Sequence, residues 1–412
     1  MKKASIVSIG NEILSGQTVD TNASYLSSRL LSISIPVASC YTVGDDIDSI
    51  VRAFNLASDD ADVVLATGGL GPTDDDVTRQ AFAKFLGTEL ELRNDLLQKI
   101  ADFFARRDLC MPATNEIQAY MPAGATGLPN NLGTAPGIIA EAKGGLLVAL
   151  PGVPAEMRQM FEESVLEKVR ELAAAQAVVV RKLNCFGKGE SSIAELLGPL
   201  MQRGRNPLIN CTAGHGIISL HIVATAQDKS SAERMAEQDE RLLRDRLGDL
   251  IYGTGEQTLA EVVGGQLARQ KKTIAVAESC TGGLLAKLLT DIPGASRYFT
   301  VGWVTYSNDA KTSELGVAAG LIEEYGAVSE QVVLAMAEGA RKRAQTDFAI
   351  AITGIAGPGG ASKQKPAGLV YISIDSFKGH KSTRLVISGD RESIRCRAAL
   401  TALNLLRREM YI

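Results

Sequence analysis

Histidine is scarce in this sequence. The 412 residues include three histidines, His215, His221 and His380, and no two of them have metal-ligand spacing. A zinc site made of clustered imidazoles is therefore not expected. With so few histidines, a histidine general base is not expected either. The candidate catalytic groups are therefore lysine and the carboxylates.

Paired cysteines and internal repeats are missing as well. The six cysteines are far apart and show no CxxC spacing, so free thiols are expected rather than a metal or redox motif. They are Cys40, Cys110, Cys185, Cys211, Cys280 and Cys396.

An excess of basic charge and a long apolar run are also absent. Lysine and arginine number 43 against 47 aspartates and glutamates, a net charge of −4, so we expect no nucleic acid partner. No apolar run has the length of a membrane span, and Asn11 and Glu12 interrupt the short N-terminal one. We therefore expect no membrane partner and a cytoplasmic location.

The first part of the chain alternates strand and helix patterns. This order predicts a mainly parallel sheet with helices on both faces, the α/β class, with ligands at the carboxyl ends of the strands. The predicted elements are strands at Ala4–Ile9, Pro36–Val43 and Val63–Ala66, and helices at Asn22–Leu31, Ile47–Ala57, Asp75–Phe85 and Pro154–Ala174.

A small middle segment and a third domain follow. The middle segment is predicted as strand Val178–Cys185, helix Ser192–Met201, strand Ile217–Ala224 and helix Ser231–Leu247. It is a spacer or oligomerisation module in this interpretation, and it lacks the GxxG pair that clamps RNA in KH folds. A short polar link, Gly253–Glu256, precedes the third domain. The predicted domains are 1–174, 178–252 and 258–412.

The segment around Ser279 carries the strongest chemical signal. The apolar run Ile274–Glu278 ends at Ser279, and the amphipathic run Leu284–Leu289 follows a turn of small residues. This pattern predicts strand, tight turn and helix, with the hydroxyl at a helix N-terminus where free N–H groups stabilise an oxyanion. The alternative is that Ser279 merely caps the helix.

Two later segments supply other parts of an acyl-transfer site. Val304–Lys311 contains Tyr306 and Lys311, and Thr353–Gly360 is a glycine-rich loop after the predicted strand Phe348–Ile352. Lysine serves as a general base when burial lowers its pKa, and a glycine-rich loop cradles an anion. Cys280 is the rival nucleophile, and Lys287 is the rival base.

The N-terminal part has its own candidate site in the segment Thr67–Asp76, TGGLGPTDDD. Its glycines allow close approach to a phosphate, and its three aspartates suit a hard divalent cation. The alternative is that the aspartates only cap the following helix.

The motifs of the third domain together resemble the CinA family of competence- and damage-inducible proteins, in its nicotinamide-nucleotide amidohydrolase domain. They are AESCTGG, VTYSNDAK, GAVSE, TGIAGPGG, Lys365-Pro366 and Gly389-Asp-Arg391. The resemblance implies Ser279 as nucleophile and Lys311 as base, and we expect Tyr306 to orient the base or relay the proton. Substrate contacts are expected from Cys280, Thr281, Gly282, Gly283, Thr353, Gly354, Gly357, Gly359, Lys365 and Arg391.

The N-terminal motifs GNEILSGQTVDTN, GGLGPTDDDVT, NNLGTAPG and LPGVP resemble the CinA domain related to the molybdopterin-binding MogA/MoaB proteins. That resemblance implies a metal-dependent ADP-ribose pyrophosphatase, and a KH-like middle domain. Asn11 replaces a common Asp, and Leu70 replaces the Thr of the pterin enzymes. Substrate contacts are expected from Gly10, Asn11, Glu12, Gly68, Gly69 and Gly71, and a divalent metal at Asp74, Asp75 and Asp76.

The resemblances imply a bifunctional enzyme of pyridine-nucleotide salvage. It would hydrolyse nicotinamide mononucleotide to nicotinate mononucleotide and ammonia without a cofactor, and would cleave ADP-ribose with the help of a divalent metal. We expect small-molecule nucleotide substrates and a homodimer. The alternatives are a nucleotide-binding regulatory protein with little turnover and a pterin adenylyl-transfer enzyme.

Overall fold

The computed structural model describes residues 2–172 and 177–410. The chain divides into two compact units, Met1–Val179 with Thr225–Glu233, and Val180–Ala224 with Arg234–Ile412. In the described residues, no helix has both the length and the apolar character that crossing a membrane requires.

The first unit is built on a mainly parallel sheet, as the alternating pattern predicts. Its strands are β1 (Ala4–Ile9), β2 (Val37–Val43), β3 (Val63–Thr67), β4 (Leu90–Leu92), β5 (Tyr120–Pro122), β6 (Thr126–Leu128), β7 (Gly137–Ala142) and β8 (Gly145–Leu150). The sheet order is β2–β1–β3–β8–β7–β6, and β4 pairs with β5 separately. The four neighbouring strands β2, β1, β3 and β8 pair in parallel. Strands β7 and β6 continue the sheet as an antiparallel edge.

Helices cover both faces of this sheet. They are α1 (Asn11–Leu14), α2 (Thr21–Ser32), α3 (Ile47–Asp60), α4 (Thr78–Leu86), α5 (Asn94–Ala105), α6 (Pro154–Met160) and α7 (Leu166–Leu172). Successive strand residues face opposite sides. Val64 joins the core that contains Phe54 and Phe82, and Leu65 joins the core that contains Leu26 and Met157.

Several helices differ from the prediction by a few residues at their ends, and two helices of the first unit are informative. The helix predicted from Asp75 begins at Thr78, because the Asp76 carboxylate accepts backbone N–H groups of Gly71 and Thr73 and keeps the preceding segment as a loop. The helix predicted for Pro154–Ala174 contains a π-helical turn at Phe161–Val165. Its last two predicted residues, 173 and 174, lie outside the described residues.

The middle segment has four strands rather than the two predicted. They are β9 (Ala177–Phe186), β10 (Leu208–Gly214), β11 (Ile217–Ala226) and β12 (Ile251–Thr254), in the order β10–β11–β9–β12, with helices α8 (Glu190–Leu197) and α9 (Lys229–Leu247). Strand β10 was missed because Asn, Cys and Gly in its sequence are not typical of strands. Strand β12 takes in Gly253 and Thr254, so the predicted link is partly a paired strand.

The C-terminal part, like the first unit, is built on a sheet that is covered by helices. Its strands are β13 (Ile274–Glu278), β14 (Phe299–Val304), β15 (Phe348–Gly354), β16 (Leu369–Ser376) and β17 (Gly379–Val386), in the order β14–β13–β15–β16–β17. Its helices are α10 (Leu259–Gln270), α11 (Leu284–Thr290), α12 (Asn308–Leu315), α13 (Ala319–Tyr325), α14 (Glu330–Ala344) and α15 (Arg391–Glu409). This architecture confirms the multidomain α/β class.

Strand register places the candidate residues in each sheet at one edge. Glu278 of β13 pairs in parallel with both Val304 and Ile352, so Ser279 and Thr305 follow the ends of β13 and β14 at the level of Thr353 near the end of β15. In the first unit, Thr67 of β3 lies between Ser8 and Leu150, which brings the segments after β1, β3 and β8 together.

Candidate active sites

The structure brings Ser279 and Lys311 together from segments 32 residues apart. Ser279 directly follows β13, and Lys311 lies in the first turn of α12, which Ser307 caps by accepting the Ala310 N–H at 3.1 Å. Lys311 Nζ lies 3.3 Å from Ser279 Oγ. Lys311 is 1% exposed and Ser279 is 8% exposed. The two groups form a buried hydroxyl–amine pair.

Backbone carbonyls hold the Lys311 amine at the serine. Nζ lies 2.9 Å from Thr305 O, 3.4 Å from Tyr306 O and 3.5 Å from Ser307 O. No carboxylate pairs with Lys311 among the described residues. Burial lowers the pKa of Lys311, and the nearby Cys280 thiol opposes that shift. A neutral amine is therefore easier to reach here than at an exposed lysine.

Glu278, which the sequence analysis missed, fixes the turn after β13. Its side chain is fully buried. Oε2 accepts the N–H groups of Gly283 (3.1 Å) and Leu285 (3.0 Å), and Oε1 accepts that of Ala286 (2.8 Å). A carboxylate at a helix start satisfies free N–H groups and favours the helix dipole. A charged residue that ends an apolar strand directly before Ser279 was the available signal.

The same bonds limit which backbone groups can act as oxyanion donors. Gly282 N–H donates to Ser279 O at 3.1 Å, and Gly283 N–H is held by Glu278. Within the described part of the chain, the N–H groups of Cys280 and Thr281 have no hydrogen-bond partner. Of the four turn residues 280–283, these two keep a free donor among the described residues.

Cys280 is poorly placed to be the nucleophile. It is buried in the hydrophobic core with Ile352 and Val370. A Cβ on Gly354 would lie 3.1 Å from the Cys280 sulfur, so the thiol packs against this glycine. Burial raises the pKa of the thiol to about 11, which makes the reactive thiolate scarce at neutral pH.

Tyr306 contacts the predicted substrate loop rather than the serine. Its side chain is 61% exposed, and its hydroxyl accepts a hydrogen bond from Arg391 NH2 at 3.1 Å. Arg391 NH1 also donates to Gly357 O at 2.9 Å. Tyr306 therefore reaches Lys311 only through its backbone carbonyl. The structure joins Tyr306, Arg391 and Gly357 into one rim.

Other predicted loop residues have structural partners. Thr353 is fully buried, and its hydroxyl donates to Ala327 O at 2.8 Å. Lys365 Nζ donates to Tyr325 O at 2.9 Å and to Val328 O at 2.8 Å. These two hydrogen bonds hold the segment before α14. Gly359 is exposed at the tip of the loop.

Arg395 is a second residue that sequence reasoning missed. Its NH2 donates to Thr281 O at 2.7 Å, and its buried Nε has no partner among the described residues. It lies one helical turn after Arg391 on α15, and this i, i+4 spacing was the available signal. Both arginines therefore contact candidate substrate-binding segments.

The first unit has a cleft of about 590 Å³ at the carboxyl ends of its parallel strands. Most of the predicted contacts line it, whereas Asn11 and Asp74 do not. The predicted lining residues are Gly10, Glu12, Gly68, Gly69, Gly71, Asp75 and Asp76. Instead, the Asn11 N–H donates to Asp45 at 2.9 Å.

The first two loop glycines are required by close approach of the backbone. Gly68 has φ 107°, and a Cβ there would lie 2.1 Å from Ile9 O. Gly69 has φ 65°, and a Cβ there would lie 2.3 Å from Thr78 Oγ1. No other residue type fits these positions without moving the loop.

The three aspartates form no group of three metal ligands among the described residues, and the metal site at Asp74, Asp75 and Asp76 stays a prediction. Asp76 accepts N–H groups of Gly71 at 2.8 Å and Thr73 at 2.9 Å, so its oxygens serve the loop itself. The Thr73 hydroxyl donates to Asp75, and Asp74 is exposed outside the cleft. The described residues include no group of three His, Cys, Asp or Glu that could hold a metal ion.

Comparison with known families matches the chain along its length. Residues 5–171 match the model described as "Probable molybdopterin binding domain", residues 180–253 the damage-inducible protein CinA KH domain, and residues 256–410 the CinA C-terminal domain.

Whole-chain relatives agree with these matches. A "Putative competence-damage inducible protein" of Caldicellulosiruptor bescii is 42% identical over 407 residues, covering 99% of each chain. A "CinA-like protein" of Kosmotoga olearia is 42% identical over 408 residues, with the same coverage. The crystal structure of a competence/damage inducible protein from Agrobacterium tumefaciens is 40% identical, covers 37% of this chain and 94% of that one, and has a TM-score of 0.37.

Proposed function

Because the chain belongs to the CinA family, we propose that its C-terminal domain is a serine–lysine amidohydrolase that converts nicotinamide mononucleotide to nicotinate mononucleotide and ammonia. The observation that carries this proposal is the buried pair of Ser279 Oγ and Lys311 Nζ, 3.3 Å apart. A hydroxyl is a weak nucleophile unless an adjacent base takes its proton. A buried lysine with a lowered pKa supplies that base without histidine.

The proposed reaction proceeds through an acyl-enzyme. Ser279 Oγ attacks the carboxamide carbon while Lys311 takes the hydroxyl proton, and the oxyanion is received by the N–H groups of Cys280 and Thr281. Protonated Lys311 then gives its proton to the amide nitrogen, the C–N bond breaks, ammonia leaves, and an ester to Ser279 remains. Lys311 next takes a proton from water as the water attacks the ester, and it returns that proton to Ser279 Oγ as the ester bond breaks and the carboxylic acid is released. Each oxyanion donor is worth about 3 kcal/mol of barrier.

The rim of Tyr306, Arg391 and Gly357 is the proposed site for the rest of the nucleotide. The Arg391 guanidinium, tied to both neighbours, offers positive charge to a phosphate. The exposed ring of Tyr306 offers a π face to the cationic pyridinium of the substrate. The proposal therefore expects free nicotinamide to be a much poorer substrate than its mononucleotide.

For the first unit we propose a nucleotide site that cleaves the pyrophosphate bond of ADP-ribose. Support comes from the cleft at the carboxyl ends of parallel strands, where such folds bind ligands. The divalent cation that this activity implies has no preformed group of three protein ligands among the described residues.

The amidase proposal is tested by ammonia release from nicotinamide mononucleotide. Ser279→Ala and Lys311→Met should each lower kcat by about a thousandfold or more, since nucleophile and base act as one unit. Lys287→Ala is the matched control, because Lys287 is exposed and paired with Asp291. Binding of the nucleotide by wild type without ammonia release would favour the regulatory alternative. If Lys287→Ala loses activity and Lys311→Met does not, the base is Lys287 and the assignment of Lys311 is wrong.

A further inference from the structure

Arg79 is a buried cation behind the glycine-rich loop of the first unit. It is the second residue of α4 and is 1% exposed. Its NH1 donates to Leu70 O and its NH2 to Gly71 O, both at 2.7 Å, while its buried Nε has no partner among the described residues. Burial lowers the pKa of Arg79 to about 10, with Asp76 opposing the shift, so the side chain is charged at neutral pH.

The residue before Arg79 orients the loop peptides. Thr78 Oγ1 donates to Gly68 O at 2.8 Å, and Thr78 N–H donates to Gly69 O at 3.1 Å. In a trans peptide the C=O and N–H groups point in opposite directions. The N–H groups of Gly69 and Leu70 therefore point away from α4. Neither has a hydrogen-bond partner in the described ranges, and both residues line the cleft.

Arg79 supplies positive charge behind a cleft whose lining is otherwise acidic. Five carboxylates line the cleft, Glu12, Asp45, Asp75, Asp76 and Glu156, and they repel an anion. No salt bridge to Arg79 exists between described residues, so its charge is compensated by two carbonyl dipoles and, at longer range, by the Asp76 carboxylate. A buried charge without a full counter-charge is costly unless a ligand supplies one.

We propose that Arg79 is a positioning residue that holds the Gly68–Gly71 loop from behind and supplies the positive charge for a phosphate or pyrophosphate group bound at the N–H groups of Gly69 and Leu70. This inference deepens the nucleotide site proposed for the first unit. It concerns binding of the anion, however, and not the breaking of its bond.

Calorimetric titration of the full-length protein with inorganic pyrophosphate, AMP and adenosine tests this proposal. Arg79→Gln, which keeps donors but removes charge, should weaken pyrophosphate and AMP binding at least tenfold and leave adenosine binding within twofold. Arg79→Lys, which keeps the charge, should retain pyrophosphate affinity within about threefold. Arg170→Gln, at an exposed arginine of the same unit, is the matched control and should change nothing.

Several results would overturn the proposal. A folded Arg79→Gln protein with wild-type pyrophosphate affinity would make the arginine purely structural, as would an equal loss of adenosine binding. If the Gln variant does not fold, hydrogen exchange of the wild type decides, because pyrophosphate should slow exchange in the peptide containing Gly69 and Leu70. No protection there refutes the site. Failure of ADP-ribose hydrolysis with intact pyrophosphate binding would reject the proposed reaction alone.

Discussion

Replacing Glu278 with glutamine should loosen the turn that carries the nucleophile. The carboxylate is fully buried and accepts three N–H groups, two at Oε2 and one at Oε1. A glutamine amide has only one oxygen. In its better orientation it keeps the bonds from Gly283 and Leu285, and it points an NH2 group at the N–H of Ala286.

The size of the effect follows from these bonds. The lost bond to Ala286 was made by a charged acceptor and is worth about 1.5–3 kcal/mol, and the two remaining bonds each weaken by about 1 kcal/mol. The amide is cheaper to bury than the carboxylate, which offsets part of this loss. We expect a net local destabilisation of about 2–3 kcal/mol, which corresponds to about 30- to 150-fold faster opening at tenfold per 1.4 kcal/mol.

Hydrogen exchange of the full-length protein measures this opening directly in the peptide covering residues 279–290. Amidase kinetics should show a fall in kcat of at least about tenfold with little change in KM, because small displacements of a nucleophile are costly. Glu323→Gln, at an exposed glutamate of α13, is the matched control. Wild-type exchange and wild-type kcat in the Glu278 variant would show that the carboxylate does not hold the turn.

Further predictions concern Lys311, Cys280 and the two aspartates Asp75 and Asp76. Because burial lowers the pKa of Lys311 in the folded state, the unfolded chain binds the extra proton between that pKa and 10.5. The free energy of unfolding should therefore rise with pH in that interval, and Lys311→Met should flatten the rise. Amidase kcat/KM should rise as the amine loses its proton, and a pH-independent profile would reject Lys311 as base. Cys280→Ala should keep ammonia release within about tenfold, since the thiol pKa is about 11; a dead but folded variant would contradict this. Asp76→Asn should lower thermal stability by disturbing the Gly71 and Thr73 bonds, whereas Asp75→Asn should not, as differential scanning calorimetry would show.

The strand-turn-helix around Ser279 was predictable because its signals are local. A run of four apolar residues before Glu278, a pair of glycines and an amphipathic run specify strand, turn and helix within the segment 274–290. The pairing of Ser279 with Lys311 was different. It depends on the parallel register of β13 and β14, which no spacing in the sequence reveals, and the family resemblance supplied it.

The aspartates after Gly71 show why the rest was not predictable. Their sequence is compatible with both a metal site and a loop that caps itself. The choice depends on whether the side chains turn toward the cleft or back toward Gly71 and Thr73. The partner of Arg395 is likewise set by tertiary packing, because Thr281 lies on a distant segment of the chain.

The two candidate sites use the same local construction and differ in what they add to it. In each, a strand runs into a glycine turn before a helix, two consecutive N–H groups have no backbone partner among the described residues, and an arginine holds a carbonyl of the turn. In the functions proposed above, that arrangement receives an anion. Only the C-terminal site adds a hydroxyl and an amine within 3.3 Å of each other, which are the groups that make and break a covalent bond. No such hydroxyl–amine pair lies at the loop among the described residues of the first unit, so the proposal for that unit concerns how an anion is held. Anion binding is therefore the property to measure first in the first unit, whereas covalent turnover is the property to measure first in the C-terminal domain.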